Sequence, residues 1–179
     1  SEIDSIESQL EAQPELETRR EEISAELEEL RTRVEQLQRE AVEAFNEQMA
    51  TVLEKLGYDN LERIWIERPE TLVREGRQTK QQAQFDLHIV RRTESGAVYE
   101  DTVDHLSESE REVTGIVFAL AGYLAHEVYR TVPFLLLDSV EAIDANRIAR
   151  LVEYLDEYAE YLVVALLTED AAALDDEYV

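Results

Sequence analysis

The chain has 179 residues, 44% of them hydrophobic, enough to bury one core, so a single globular domain with an extension is expected. It has no cysteine, which excludes a disulfide framework and a cysteine-based zinc site and favours a reducing compartment. Its 42 acidic residues face 17 basic ones, a net charge of −25.

The acids are interleaved with apolar residues and not gathered into a tail, so they predict a solvated acidic surface. Such a surface self-repels unless salt screens it, which points to a salt-loving source, and it repels nucleic acid except at a local arginine cluster. No apolar run reaches the roughly 18–20 residues of a membrane span, and the start SEIDSIESQLEAQ lacks the basic flank and apolar centre of a signal peptide. A cytoplasmic location is therefore expected.

Leu16, Arg20, Ile23, Leu27, Leu30, Val34, Leu37 and Ala41 recur at alternating spacings of four and three, a heptad seam that predicts a coiled-coil helix. Pro14 predicts a break, leaving Ser1–Gln13 as a separate or kinked helical piece. Phe45, Met49, Val52, Leu53 and Leu56 carry the helix into a broader apolar face that Gly57 stops. The alternation in RIWIE (63–67) and QFDLHIV (84–90) predicts half-buried strands, and TESGAV (93–98) predicts a turn into a short strand at Val98–Tyr99.

Val113, Ile116, Val117, Leu120, Ala121 and Leu124 predict a helix over about 108–129. PFLLLD then reads as a strand buried on both faces, followed by a helix with Ile148, Leu151, Val152 and Leu155 and a second apolar run, YLVVALL (161–167). Strand, helix, strand with continuous apolar strands is a βαβ unit of a parallel sheet. The chain thus divides into an arm at 1–56, a strand-rich subdomain at 57–104 and an α/β lobe at 105–179.

Parallel sheets bind ligands at the carboxyl ends of their strands, where Asp138 lies. It reads either as a carboxylate facing a magnesium ion through water or as a helix cap. Upstream, Ser107 and Glu110 form an S-x-x-E capping box whose helix start is suited to phosphate. His88, His105 and His126 are scattered and read as structural. Arg91, Arg92, Arg147 and Arg150 read as surface ion pairs, and Tyr154, Tyr158 and Tyr161 as a packing set.

The order L-S-x-x-E, apolar strand ending in Asp, then AID, then a second strand resembles the carboxyl-terminal half of an ABC-type ATPase head. Such heads occur in the structural-maintenance-of-chromosomes (SMC) proteins and in double-strand-break-repair ATPases, where a coiled-coil arm returns into the half-head. The resemblance implies a P-loop-NTPase-like parallel sheet with helices, preceded by the base of the coil, in a halophilic archaeal protein. It implies LSESE (Leu106–Glu110, including Ser107 and Ser109) as the signature, Phe134–Asp138 as the Walker B strand and Asp144 as the D-loop aspartate. Thr168 and Glu169, in LLTED, take the place of the switch-histidine segment.

Glu108 and Ser109 stand where the signature has glycines. Ser139 stands where the catalytic glutamate follows the Walker B aspartate, leaving Glu141 as the carboxylate that could reach the site from the following loop. No G-x-x-x-x-G-K-[S/T] is present and the chain starts without methionine, so it reads as a piece of a longer protein whose other half carries the P-loop. The resemblance implies ATP and magnesium as cofactors, and as partners the P-loop half, a second head in a homodimer and, through the full assembly, DNA at the nucleoid. The rival reading is a non-catalytic coiled-coil scaffold with a degenerate head fold.

Overall fold

The computed structural model describes residues 2–75, 78–93, 95–138, 140, 143–171 and 173–174, with side chains for all of these except 2–12, 70–75, 78–83 and 169. The chain divides into two compact units, Ser1–Glu40 and Ala41–Val179.

The first unit lies within helix α1 (Glu2–Leu56), which runs unbroken through Pro14. The expected break is therefore corrected. A proline removes one backbone hydrogen bond and costs about 3 kcal/mol, which a 55-residue helix with intact turns on either side absorbs. Thr18 Oγ1 donates to the Pro14 carbonyl at 2.9 Å, and Gln13–Glu17 and Gln36–Glu40 hydrogen bonds brace the exposed surface at four-residue spacing. The seam residues Leu16, Ile23, Leu27, Leu30, Val34 and Leu37 are all exposed.

In the second unit, α1 supplies Met49, Val52, Leu53 and Leu56 to the core and ends at Gly57, whose φ of 58° is the left-handed cap. The Gly57 N–H donates to the Leu53 and Glu54 carbonyls at 3.0 Å. An antiparallel sheet follows, ordered β1 (Leu61–Glu67), β4 (Asp86–Arg92), β5 (Val98–Asp101). Between β1 and β4 lies a hairpin, β2 (Glu70–Glu75) and β3 (Gln78–Ala83), which the polar run QTKQQA gave no apolar alternation to reveal.

Ile64 pairs with Ile89 across the sheet and both are buried, so Arg91, two residues along β4, shares the core-facing side. Strand β1 is an edge, and Asn46 of α1 closes it. Its Nδ2 donates to the Ile66 carbonyl at 2.9 Å while its Oδ1 accepts the Ile66 N–H at 2.7 Å. One amide thus does for Ile66 what a neighbouring strand would do.

Helix α2 (Glu108–Ala125) buries Val113, Val117, Leu120, Ala121 and Leu124 on one stripe. The Phe45 ring closes on Gly122, where a Cβ would come within 3.3 Å of it. The helix stops four residues before the expected 129, because Glu127 adopts a left-handed φ of 48° and a 3-10 turn, Val128–Arg130, takes over. Strand β6 (Phe134–Leu137), helix α3 (Ala145–Asp156) and strand β7 (Tyr161–Val164) form the predicted parallel βαβ unit, with Leu137 opposite Val164. A short helix α4 (Thr168–Ala171) follows.

Strand β6 is not buried on both faces as expected. Leu137 is buried, but Phe134 and Leu136 are 58% and 60% exposed, and Tyr161 and Val163 beside them 61% and 56%. α3 buries Ile148, Leu151, Val152 and Leu155, so the core lies on one side, and among the described residues nothing covers the other side of the strand pair. Tyr154 and Tyr158 do pack ring to ring, with centroids 5.3 Å apart, whereas Tyr161 belongs to the bare face. No described helix is long and apolar enough to cross a membrane.

The Asn46 clamp is a single-residue joint. Asn46→Ala removes two hydrogen bonds to part-buried backbone groups and is expected to lower stability by about 2–3 kcal/mol. Denaturant unfolding of the 179-residue chain, followed through Trp65, the single tryptophan, reads the loss directly.

Candidate functional site

Ser107 caps α2 with extended backbone, φ −60° and ψ 165°, and the expected capping box is complete. Its Oγ accepts the Glu110 N–H at 3.3 Å, and the Ser107 N–H donates to Glu110 Oε2 at 2.9 Å. The Ser107 hydroxyl also donates to Glu110 Oε2 at 2.7 Å. Leu106 is buried and anchors the segment, while Ser107 and Glu108 are exposed and Ser109 half-buried. The Glu108 carboxylate thus sits in solvent at the first turn of α2.

Glu110 is buried, and its carboxylate is held from behind by Arg91, whose Nη2 donates to Oε1 at 2.7 Å and Oε2 at 3.0 Å. Arg91 Nη1 donates to Asp101 Oδ2 at 2.9 Å, and Asp101 Oδ1 takes the Thr102 N–H at 2.9 Å and meets His105 Nδ1 at 2.8 Å. The chain Glu110, Arg91, Asp101, His105 ties the sheet to the start of α2. Side-chain exposures of 22% for Arg91, 4% for Glu110 and 9% for Asp101 put these three in the interior, with His105 exposed at the rim, which corrects the expected surface pairing of Arg91. Arg92, by contrast, pairs with Glu62 at the surface.

The Arg91 hydrogen bond, the Thr102 N–H and His105 hold the Asp101 carboxyl down to about 2. Burial pushes Glu110 up, but the hydrogen bonds from Ser107 and Arg91 outweigh it and leave the carboxyl below its usual value. The sequence ends the strand at Val90 and leaves Arg91 just after it, where an arginine in so acidic a chain reads as a surface ion pair; β4 in fact runs on to Arg92. The available signal was parity, since Arg91 falls in step with Ile89.

Asp138 is exposed directly after β6, and Thr168 is exposed at the start of α4, three residues past Ala165, whose N–H donates to the Leu137 carbonyl at 2.9 Å. Both therefore lie at the carboxyl-end edge of the parallel pair, where a ligand is expected. An exposed carboxylate there suits a hard cation such as magnesium, held through water. Asp144 caps α3 and accepts the Arg147 N–H at 3.1 Å. Ser139 and Glu141 lie outside the described residues, as does the Glu169 side chain.

Among known proteins, no family model matches the chain. It is 67% identical over 148 residues to the Smc-like protein Sph3 of Haloferax volcanii, covering 83% of the chain and 23% of that protein. It is 54% identical over 152 residues to the Smc-like protein Sph2 of Halobacterium salinarum, covering 80% and 22%. The chain thus spans less than a quarter of the length of these relatives, both from halophilic archaea. Among solved structures, the Smc head domain with an extended coiled coil from Pyrococcus furiosus, bound to the C-terminal domain of ScpA, shares the fold at a TM-score of 0.51. That match has 20% identity and covers 90% of this chain and 39% of the other.

Because Asp101 and Glu110 are both held below their usual values, their contribution to stability is complete above the ordinary carboxylate range near pH 4. It is lost as pH falls from there towards about 2. Stability measured between pH 6 and pH 2 is expected to drop steeply in that window, and Arg91→Met to flatten the drop, because neither carboxylate then has its guanidinium.

Proposed function

We propose that this chain, an SMC-like segment by its relatives and an SMC head with the base of a coiled coil by its fold, supplies half of an ATP-gated head. In this reading Ser107 and the first turn of α2 face the γ-phosphate of nucleotide held by a second head, and Asp138 supports magnesium in its own head. A P-loop half of the same protein covers the bare face of β6 and β7. The closure of two heads is passed to the coiled coil and serves chromosome organisation or DNA repair, with DNA met by the full assembly at the nucleoid.

The observation that carries the reading is the exposed Ser107 backed by a buried and fully bonded Glu110. A bound nucleotide supplies the anionic oxygens and magnesium offsets their charge; the chain's residues supply donors. The Ser107 hydroxyl has one proton, now given to Glu110 Oε2. To donate to a phosphate oxygen it must rotate away from that carboxylate. Glu110 then still holds the Ser107 N–H and Arg91 Nη2, so little is lost when the hydroxyl leaves. The positive end of the α2 dipole favours the same anion.

The scaffold reading is favoured by Ser139, a residue that cannot act as a base in the place of the catalytic glutamate. Magnesium-dependent ATP binding and turnover by the co-expressed halves separate the two. Binding without turnover supports an ATP-gated clamp, and no binding supports the scaffold.

The sharper test is Ser107→Gly in the full-length protein. Glycine caps a helix at a cost of only a few tenths of a kcal/mol, so the fold is retained while the hydroxyl is lost. Light scattering with ATP and magnesium is expected to show head dimerisation weakened by about tenfold or more, the size of one charge-assisted hydrogen bond, with ATP binding to the separate head unchanged. Undiminished dimerisation would remove Ser107 from the site.

A further inference from the structure

The carboxyl end of α1 is held by two arginines of α3. Leu56 and Gly57 carry carbonyls at the negative end of the helix dipole, and both accept from guanidinium groups. Arg147 Nε donates to the Gly57 carbonyl at 3.2 Å, and Arg150 Nη2 to the Leu56 carbonyl at 3.4 Å. The fit is close. A Cβ on Gly57 would lie 3.1 Å from Arg150 Nη1, and the φ of 58° already disfavours any other residue there.

Arg147 does more than cap. Its guanidinium lies over the Tyr58 ring, 4.9 Å from the centroid, and reaches Asp59 Oδ2 at 3.5 Å. Its Nη1 donates to Asp144 Oδ2, while its backbone N–H donates to Asp144 Oδ1. One planar fork, three-quarters buried, therefore bonds at once to the backbone of the α1 terminus and to the carboxylate that starts α3. A guanidinium can hold these acceptors together because its five donors are fixed in one plane; an ammonium has no such geometry.

We propose that Arg147 is a positioning residue that couples Asp144 to the carboxyl end of α1, so that a displacement of either is felt by the other. The proposal rests on the head reading and adds to it that Asp144, the D-loop aspartate by resemblance, meets the second head. When Asp144 moves to meet that head, Arg147 carries the movement to the Gly57 carbonyl and hence to the helix that bears the heptad seam. Arg150 is the fixed half of the same joint, since its partner is α1 backbone alone among its described hydrogen bonds outside its own helix.

The test uses the full-length protein with a spin label on Arg31→Cys, an exposed position in a segment with no native cysteine, so that label-to-label distance between two copies reports on the arm. Head dimerisation with ATP is measured alongside. Arg147→Met is expected to keep ATP binding and dimerisation but lose the ATP-dependent shift in label distance, and Arg147→Lys, which keeps the charge and a single donor point, to restore part of it. An unchanged shift in Arg147→Met overturns the coupling. Should the Met variant fold poorly, an unchanged shift in Arg147→Lys overturns it equally, because the fork geometry is then unnecessary. Asp144→Asn, which still caps α3, tells the two readings apart: dimerisation unaffected by Asn while the Met variant loses its shift removes Asp144 from the head interface and leaves the Arg147 joint standing.

Discussion

A parallel pair of strands needs cover on both faces, and β6 and β7 have it on one. α3 crosses from one strand to the other and buries Leu137 and its neighbours, while Phe134, Leu136, Tyr161 and Val163 face outward together. Four large apolar side chains on adjacent strands form a contiguous patch, which a protein exposes at a cost in solubility unless something covers it. The core of the second unit accordingly lies on one side of the strand pair.

Three of the 17 basic residues of this acidic chain stand at its joints. Arg91 fastens the antiparallel sheet to the start of α2, and Arg147 and Arg150 fasten the end of α1 to the start of α3. With a net charge of −25, carboxylates are plentiful and guanidinium groups scarce, so each arginine at an interior joint holds two or more acceptors. Interior pairs are screened by salt much less than surface ones, which suits a protein whose acidic surface calls for high ionic strength. The two joints also adjoin Ser107, proposed to face nucleotide, and Asp144, proposed to meet the second head.

Much of this was legible in the sequence because it is periodic or local. The heptad seam, the stripe of α2, the capping box of Ser107 and Glu110 and the parallel β6–α3–β7 unit each rest on spacings within a few turns of chain. Four features were not. The continuity of α1 through Pro14 depends on the length of helix around it, which propensity at one position does not weigh. The β2–β3 hairpin lacks an apolar alternation. The one-sided burial of β6 is not visible in the run itself, because a continuous apolar run looks the same whether both layers or one are present. The side-chain joints connect residues as far apart as Gly57 and Arg147, and Asn46 and Ile66, where no local pattern announces them.

In the proposed function the bare face of β6 and β7 is an interior surface completed by another segment of the full-length protein. Hydrogen exchange of the amides in Phe134–Leu137 and Tyr161–Val164, compared between this chain alone and the full-length protein, tests it most directly. The account predicts exchange slowed by orders of magnitude in the full-length protein, while amides of α2 change little. Equal exchange rates in the two would contradict it, because the face would then be a solvent surface in both.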